Sequence, residues 1–495
     1  MFSKILKNEV LSGVTVALAL IPESVAFAFV AGVSPILSLK GAVVMGLVAA
    51  IFTGRPAMIS SSTAAISVVF ASLIATHGLE YLFATVILMG IIQILLGVFK
   101  LGKYTQIIPY SVTLGFLNGL SIVMFLAQFS QFKINGNWLP TKDLLIMIIF
   151  VLVTMAIIHF TSKITSAIPS SLVAIVSVTI ISSLMSHYDI YSLRTVQDFA
   201  GMELKGDLPK FYIPHVSFSL ETFKIIFPYA VTGGLVGLTE AVLTGRVIDE
   251  MTNTKSKINK EFFAQGLGNL VNGLFGGMGG DAMIGQSIIN VKSGGRTRFS
   301  AIIASVTLMI FMLFGSAFTN AIPLSGLVGV MFMVVVGTFK WESLKYGGKI
   351  PRSDVIVVLA VTFITIFQDL ATAVIVGVIL SALMFAWEKG KIIYANIETG
   401  ENGEKIYKIN GVLFFGSVYK LKEIFDVNKD PVDVILDLKY AKVMDFSGIE
   451  TINAIAERYE ALGKTFTLIR PNENCRMLLQ NAKNIGSIKF AIDSL

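Results

Sequence analysis

The sequence predicts a polytopic α-helical membrane protein of fourteen segments, arranged as a 7+7 inverted repeat and followed by a small α/β domain. Three observations carry this prediction. The 495 residues are 54% hydrophobic and only 14% charged, with a mean hydropathy of +0.76, whereas a soluble chain carries about 25% charged residues. Apolar runs near the ~20 residues that span a bilayer recur as far as residue 390 and then stop. Two interrupted stretches, Leu47–Ser62 and Leu270–Ser287, resemble each other from opposite halves of the chain.

The expected spans are 11–31, 36–53, 58–75, 81–99, 105–130, 143–160, 167–186, 222–248, 259–276, 281–293, 297–318, 321–339, 353–368 and 370–388. MFSKILKNEV leads into the first without a small-residue cleavage site, so the first helix is expected to be retained. Lys and Arg test the register. With the N-terminus inside, 19 of the 26 basic residues before position 396 fall on the inner side, as cytoplasmic loops require. This orientation puts both termini in the cytoplasm of a cell (inner or plasma) membrane protein. The transport unit is expected over 1–390, with repeats of about 1–186 and 222–390.

The third and tenth segments are too short or too broken for plain spans. In GGMGGDAMIGQSIINVK (276–292) the glycine-rich first half should be extended, and a short helix should start near Gly285. Irregular backbone at membrane depth survives only where protein or a watery cavity covers it. Such a break aims the N–H groups of a half-helix into that cavity, which makes an anion pocket. The first-half counterpart carries Ser60, Ser61, Ser62 and Thr63. The repeat aligns Phe52 with Phe275, Gly54 with Gly277 and Ala57-Met58-Ile59 with Ala282-Met283-Ile284. PESVA (Pro22–Ala26) matches TEAVL (Thr239–Leu243), and IIPYS (Ile107–Ser111) matches AIPLS (Ala321–Ser325).

Of 18 acidic residues before position 396, only Glu23, Glu240 and Asp281 fall inside expected segments rather than in loops or at their ends. Intramembrane acids are costly and mark function, against the plainer reading of a protonated carboxyl bonded to backbone. Glu240 and Thr244 share a helix face four residues apart. A carboxylate and a hydroxyl so placed suit a hard cation such as Na⁺ and suit a proton relay equally. Anion contacts are expected from Ser61, Ser62, Thr63 and the half-helix start near Gly285, with Glu23 facing the same cavity. Coupling is expected from Glu240, Thr244 and Asp281, with Na⁺ or H⁺ as the companion and no resident cofactor. No Lys or Arg is expected in this pocket, which should hold all three carboxylates.

The tail, 396–495, is nearly neutral, with 13 basic and 14 acidic residues. KIYKI, VLFF, VDVILDL and TFTLI read as strands, and IETINAIAERYEALG and NCRMLLQNAKN as helices. One cysteine and four scattered histidines exclude a disulfide framework and a metal cluster. No nucleophile–base pair or phosphate loop points to an enzyme, and nothing in the tail points to nucleic acid.

IPESVAFAFVAGVSP, EAVLTGRVIDEMTNT and NKEFFAQGLGNLVNGLFGG…NVKSGGRTR closely resemble the SulP family of anion transporters. The tail, VILDL…VMDFSG…ALGKTFTLI, resembles the STAS domain those proteins carry. The resemblance implies core and gate domains, elevator-like motion, a homodimer, and an inorganic anion such as bicarbonate or sulfate. It also implies Na⁺ binding at Glu240 and Thr244 in cation-coupled members, anion contacts at Ser62, Thr63, Met283, Ile284, Gly285 and Gln286, and a regulatory protein partner at the STAS domain, where Ser447 aligns with a phosphorylated position but Asp445-Phe446-Ser447-Gly448 reads first as a helix N-cap. Two positions depart from the family pattern. Gln286 stands where many members have Arg, and Glu23 where many have Gln. Losing one positive charge and gaining a negative one favours symport with H⁺ or Na⁺ over anion exchange. H⁺-coupled transport of a dicarboxylate or nucleobase on the same fold, and a non-transporting sensor, are the alternatives.

Overall fold

Each of the fourteen expected segments carries a helix in the computed structural model. It describes all residues except 1, 104–108, 135, 165–167, 201–205, 346–349, 369, 391, 472–474, 477–490 and 494–495. The first half contains α1 (Phe2–Ala31), α2 (Pro35–Phe52), β1 (Ser60–Ser61), α3 (Ala64–His77), α4 (Leu79–Val98) and α5 (Tyr110–Ala127). A short hairpin, β2 (Lys133–Ile134) and β3 (Asn137–Trp138), precedes α6 (Thr141–Ile164), α7 (Ser170–His187) and α8 (Val196–Ala200). The second half contains α9 (Leu220–Thr252), α10 (Ile258–Leu274), β4 (Asp281–Ala282), α11 (Ile284–Lys292), α12 (Arg298–Phe314) and α13 (Ser316–Ala321). It ends with α14 (Leu324–Thr338), α15 (Arg352–Phe367) and α16 (Leu370–Gly390). Among the described residues, eight helices are long and apolar enough to cross a membrane, and α3, α12 and α14 are shorter apolar helices.

Prolines and polar caps set the helix starts. Pro109, Pro169, Pro323 and Pro351 stand at the N-cap positions of α5, α7, α14 and α15, where a missing N–H costs nothing. Ser219 caps α9 through its side chain, and Asn253 closes it in the left-handed conformation. Ile107 and Ile108, at the start of the fifth expected span, lie outside the described residues.

Contacts divide the chain into two units, Met1–Val378 and Ile379–Leu495. Within the first, the helices form two packed groups. In one, α4 packs on α10, α1 and α2 on α12, and α9 on α4. In the other, α5 packs on α15, α14 on α6, and α6 on α7. Small residues bring the α4 and α10 backbones together. A Cβ at Gly90 would sit 2.4 Å from Leu270 N, so only glycine allows this crossing.

In the second unit, a five-stranded sheet has the order β5-β6-β7-β8-β9. Its strands are β5 (Tyr394–Thr399), β6 (Lys405–Leu413), β7 (Asp433–Val443), β8 (Thr465–Ile469) and β9 (Ala491–Asp493). β5 runs antiparallel to β6 and the other pairs are parallel. α17 (Val418–Ile424) and α18 (Phe446–Glu460) connect them. Part of the expected strand VLFF continues β6 rather than forming its own, and apart from Cys475 and Arg476 the expected helix NCRMLLQNAKN lies outside the described residues. Tyr407, Leu436, Ile452, Tyr459 and Leu468 form the core, with Cys475 buried among them. At Ser447 the neighbouring Asp445 is the N-cap of α18, its carboxylate accepting from Gly448 N at 3.0 Å.

Asp430 is a buried acid in this unit. Burial pushes its pKa up, but the Lys405 ammonium at 2.5 Å and the Tyr459 and Tyr407 hydroxyls outweigh that and hold it below the usual aspartate range. A folded-state pKa below the unfolded one stabilises the fold above the unfolded value of about 3.9, and that stability is lost as pH falls through the folded pKa. Amides of β6 and α18 should therefore lose hydrogen-exchange protection below about pH 4. Asp430→Asn should flatten this acid response and lower protection at neutral pH; an unaltered acid response would assign it to another carboxylate.

Candidate anion and cation site

The two broken segments meet directly. β1 and β4 pair antiparallel, Ser60 opposite Ala282 and Ser61 opposite Asp281. Met283 N donates to Ile59 O at 2.8 Å, and the Ser287 hydroxyl accepts from Ile59 N at 2.9 Å. A helix leaves each strand: α3 from its N-cap Thr63, and α11 from its N-cap Met283. The first N–H groups of a helix have no partner inside it. Here Ala64 and Ala65 of α3, and Ile284, Gly285 and Gln286 of α11, line one cavity. Both positive helix ends thus open on the same space.

This pairing corrects the repeat alignment. Thr63 and Met283 are the equivalent N-caps, so Ser61-Ser62 corresponds to Asp281-Ala282, and Ala57-Met58-Ile59 does not correspond to Ala282-Met283-Ile284. The similarity of the letters AMI misleads because both breaks contain apolar residues before a helix; backbone pairing fixes the register.

A hydrogen-bond frame holds the crossing. The Asn269 side chain accepts from Gly280 N and donates to Gly280 O, both at 2.9 Å, and donates to Gln93 at 2.9 Å. On the other segment, Glu261 accepts from Thr53 Oγ1 at 2.7 Å, Gly54 N at 2.6 Å and Arg55 N at 3.1 Å. Arg55 pairs with Asp249 at 2.9 Å and donates to Ile248 O at 2.8 Å. Glu9 is also buried, accepting from Arg296 N, Thr297 N and Ser300 N at 2.8 to 3.0 Å ahead of α12. The sequence reading took Glu9, Arg55 and Glu261 as loop or end groups.

The cavity measures about 450 Å³ and is lined by Glu23, Thr63, Glu240, Met283, Ile284, Gly285 and Gln286, with Phe27, Leu120 and Val334 among its apolar walls. Gln286 Nε2 donates to Glu23 Oε2. Ser61 and Ser62 do not reach the cavity. Ser61 is fully buried in β1, and the Ser62 hydroxyl donates to Ser38 O at 3.0 Å. Asp281 and Thr244 are fully buried and do not line it either; Thr244 Oγ1 donates to Ala282 O at 3.2 Å. The Asp281 carboxylate faces Glu240 and the Thr63 hydroxyl, yet neither of its oxygens has a hydrogen bond of good geometry. A dehydrated carboxylate without donors is among the most expensive groups to bury. Two facing carboxyls with hydroxyl and carbonyl oxygens nearby suit a hard monovalent cation or a proton.

Two expectations about charge are overturned. Two carboxylates rather than three line the cavity, and a lysine lines it with them, Lys340. The chain turns after α14 because Asn118 of α5 accepts from Lys340 N at 2.9 Å and donates to the Ser343 hydroxyl at 2.8 Å. That turn brings Lys340 to the cavity instead of carrying it away. A unit charge about 4 Å from an anion across water is worth about 1 kcal/mol. Lys340→Ala should therefore raise the KM for an anion about fivefold, with the gap closing at high salt; an unchanged KM at low salt would remove Lys340 from the anion's path.

Comparison with known proteins sets this geometry in a family. The model of the sulfate permease family matches residues 6–138 and 135–362, and the STAS domain model matches 394–493. The chain belongs to the sulfate permease family. It is 41% identical over 478 residues to "Putative sulfate transporter YbaR" of Bacillus subtilis (strain 168), covering 96% of each protein. It is 32% identical over 402 residues to "Bicarbonate transporter BicA" of Picosynechococcus sp. (strain ATCC 27264 / PCC 7002 / PR-6), covering 77% of this chain and 70% of that one. The solved transmembrane domain of a cyanobacterial BicA superposes with a TM-score of 0.65 at 32% identity, over 74% of this chain and 97% of that one. The overall structure of SLC26A9 superposes at 0.82 with 17% identity, over 99% and 88%. The relatives are named as anion transporters, and this chain has a helical SLC26-like membrane fold with a C-terminal STAS domain.

Proposed function

We propose that this chain is a secondary active transporter of a small inorganic anion, sulfate or bicarbonate, in symport with Na⁺ or H⁺. The observation that carries the coupling is Asp281, whose unpartnered carboxylate is buried against Glu240 just behind the wall where two helix N-termini open. Ala64, Ala65 and Ile284–Gln286 present the anion with N–H groups, and Lys340 adds a full positive charge on the cavity wall. A cation at Glu240 and Asp281, with Thr244 and the Ala282 carbonyl beside it, neutralises the negative charge behind the anion. Anion and cation then support one another's binding.

The helix group that holds the crossing, α1–α4 with α9–α12, moves against α5–α7 and α14–α16 as an elevator, carrying both ions. The protein sits in the cell membrane as a homodimer with both termini in the cytoplasm, and the STAS domain is the docking place for a regulatory protein. Residues 1–390 are the transport domain, and 396–495 the STAS domain.

The test is uptake of radiolabelled sulfate and bicarbonate into proteoliposomes, with Na⁺ and pH gradients imposed separately. Accumulation driven by one of these gradients is expected. Uptake that ignores both, and instead requires an anion on the opposite side, would replace symport with exchange.

A further inference from the structure

Resting on that transport reading, we propose that Glu23 is a tethered competitor for the anion, so that the anion occupies the site only when Glu23 carries a proton. A carboxylate is itself an oxyanion, with the same acceptor chemistry as bicarbonate. Glu23 lies on the cavity wall, and its Oε2 takes the side-chain amide of Gln286, in the first turn of α11. That amide stands with the Ile284 and Gly285 backbone at the helix end that should receive the anion. The carboxylate therefore occupies donors that the substrate needs.

The surroundings make a proton the natural release. Among the described residues no salt bridge reaches Glu23, which is 9% exposed. The charged groups that share the cavity are Glu240 of α9 and Lys340 beyond α14, with Asp281 buried behind. Ionisable side chains on the other helices packed against α1 lie elsewhere: Lys40 of α2, His77 of α3, His187 of α7, Lys292 of α11 and Arg298 of α12 do not line it. On α1 itself, Glu9 is engaged with the backbone ahead of α12.

The step balances simply. A solvent proton binds a Glu23 oxygen, the Gln286 N–H turns to the incoming anion, and the neutral carboxyl remains beside it. When the anion leaves on the far side, the proton leaves Glu23 and the carboxylate retakes the amide. One proton thus travels with each anion, in addition to any cation held at Glu240 and Asp281. Glu23 acts by occupying the site, a role different from that of a ligand.

Counterflow of radiolabelled sulfate, whose charge is constant from about pH 5.5 to 8.5, tests this in proteoliposomes of the full chain. Bicarbonate at fixed free concentration is the second probe. In the wild type the apparent affinity should weaken by up to about tenfold per pH unit on the alkaline side, because the competent fraction falls by that factor. In Glu23→Gln the pH slope of the anion affinity should be shallower than in the wild type by up to about tenfold per pH unit on the alkaline side, and one proton fewer should accompany each anion. Equal slopes in both proteins overturn the proposal, as does a folded Glu23→Gln that no longer exchanges anion. A pH dye in wild-type vesicles gives a measurement free of any variant: anion entry without accompanying protons overturns it. A wild type that exchanges neither anion overturns the transport reading itself, and this inference with it.

Discussion

Glu240→Gln is expected to remove cation-driven accumulation while leaving a folded protein that still melts at or above the wild-type temperature. Glu240 faces Asp281, neither of whose oxygens has a hydrogen bond of good geometry. Turning one carboxyl into an amide gives Asp281 a neutral hydrogen-bond donor and relieves the confrontation of two acids, so the fold does not suffer. The coupling ion, however, loses one of its two anionic partners. A hydrogen bond or contact to a charged group is worth roughly 1.5–3 kcal/mol, so the apparent cation affinity should fall about 10- to 100-fold. The readout is the cation concentration for half-maximal uptake, together with the stabilisation of the purified protein by Na⁺ or by acid. Wild-type cation dependence in this variant would move the coupling site elsewhere; loss of folding would mean that Glu240 serves the scaffold.

The second large effect is expected at Gly280. A Cβ there would stand 2.0 Å from Ser61 O and 2.6 Å from its carbonyl carbon. Both atoms belong to the partner strand, and Asn269 grips Gly280 by its own N–H and carbonyl, so no flexible side chain can yield. Gly280→Ala must push β1 and β4 apart. Overpacking ordinarily costs about 1–3 kcal/mol, and a backbone clash belongs at or above the top of that range. The two helix ends then no longer share a cavity, and uptake should vanish along with a clear drop in melting temperature. Gly285→Ala is the control for stability, because nothing lies within 4 Å of a Cβ there. A Gly280→Ala protein with wild-type transport would show that the crossing can be dispensed with.

Much of this arrangement was legible in the sequence for a physical reason. Spans announce themselves by length and apolarity, and the glycine-rich run at 276–280 cannot be an ordinary helix in lipid. The break, the helix start beside Gly285 and the common cavity of Glu23 and Glu240 followed from that. What remained hidden depended on tertiary direction. Ser61 and Ser62 carry the right hydroxyls, but both are buried away from the cavity, Ser61 in β1 and Ser62 on the Ser38 carbonyl. Lys340 lies in a loop by every local criterion, and only Asn118, more than 200 residues earlier, bends that loop to the cavity. The repeat register slipped because letters were compared where hydrogen bonds decide.

The lone thiol offers an experimental opening. Cys475 is the single cysteine in 495 residues and is buried in the STAS core. Maleimide or nitroxide reagents should leave the native protein nearly silent, so a pair of cysteines introduced on α4 and α6 would report on their separation without a cysteine-free background having to be built first. Pulsed spin-echo distances recorded with and without sulfate would then measure how far one helix group travels past the other.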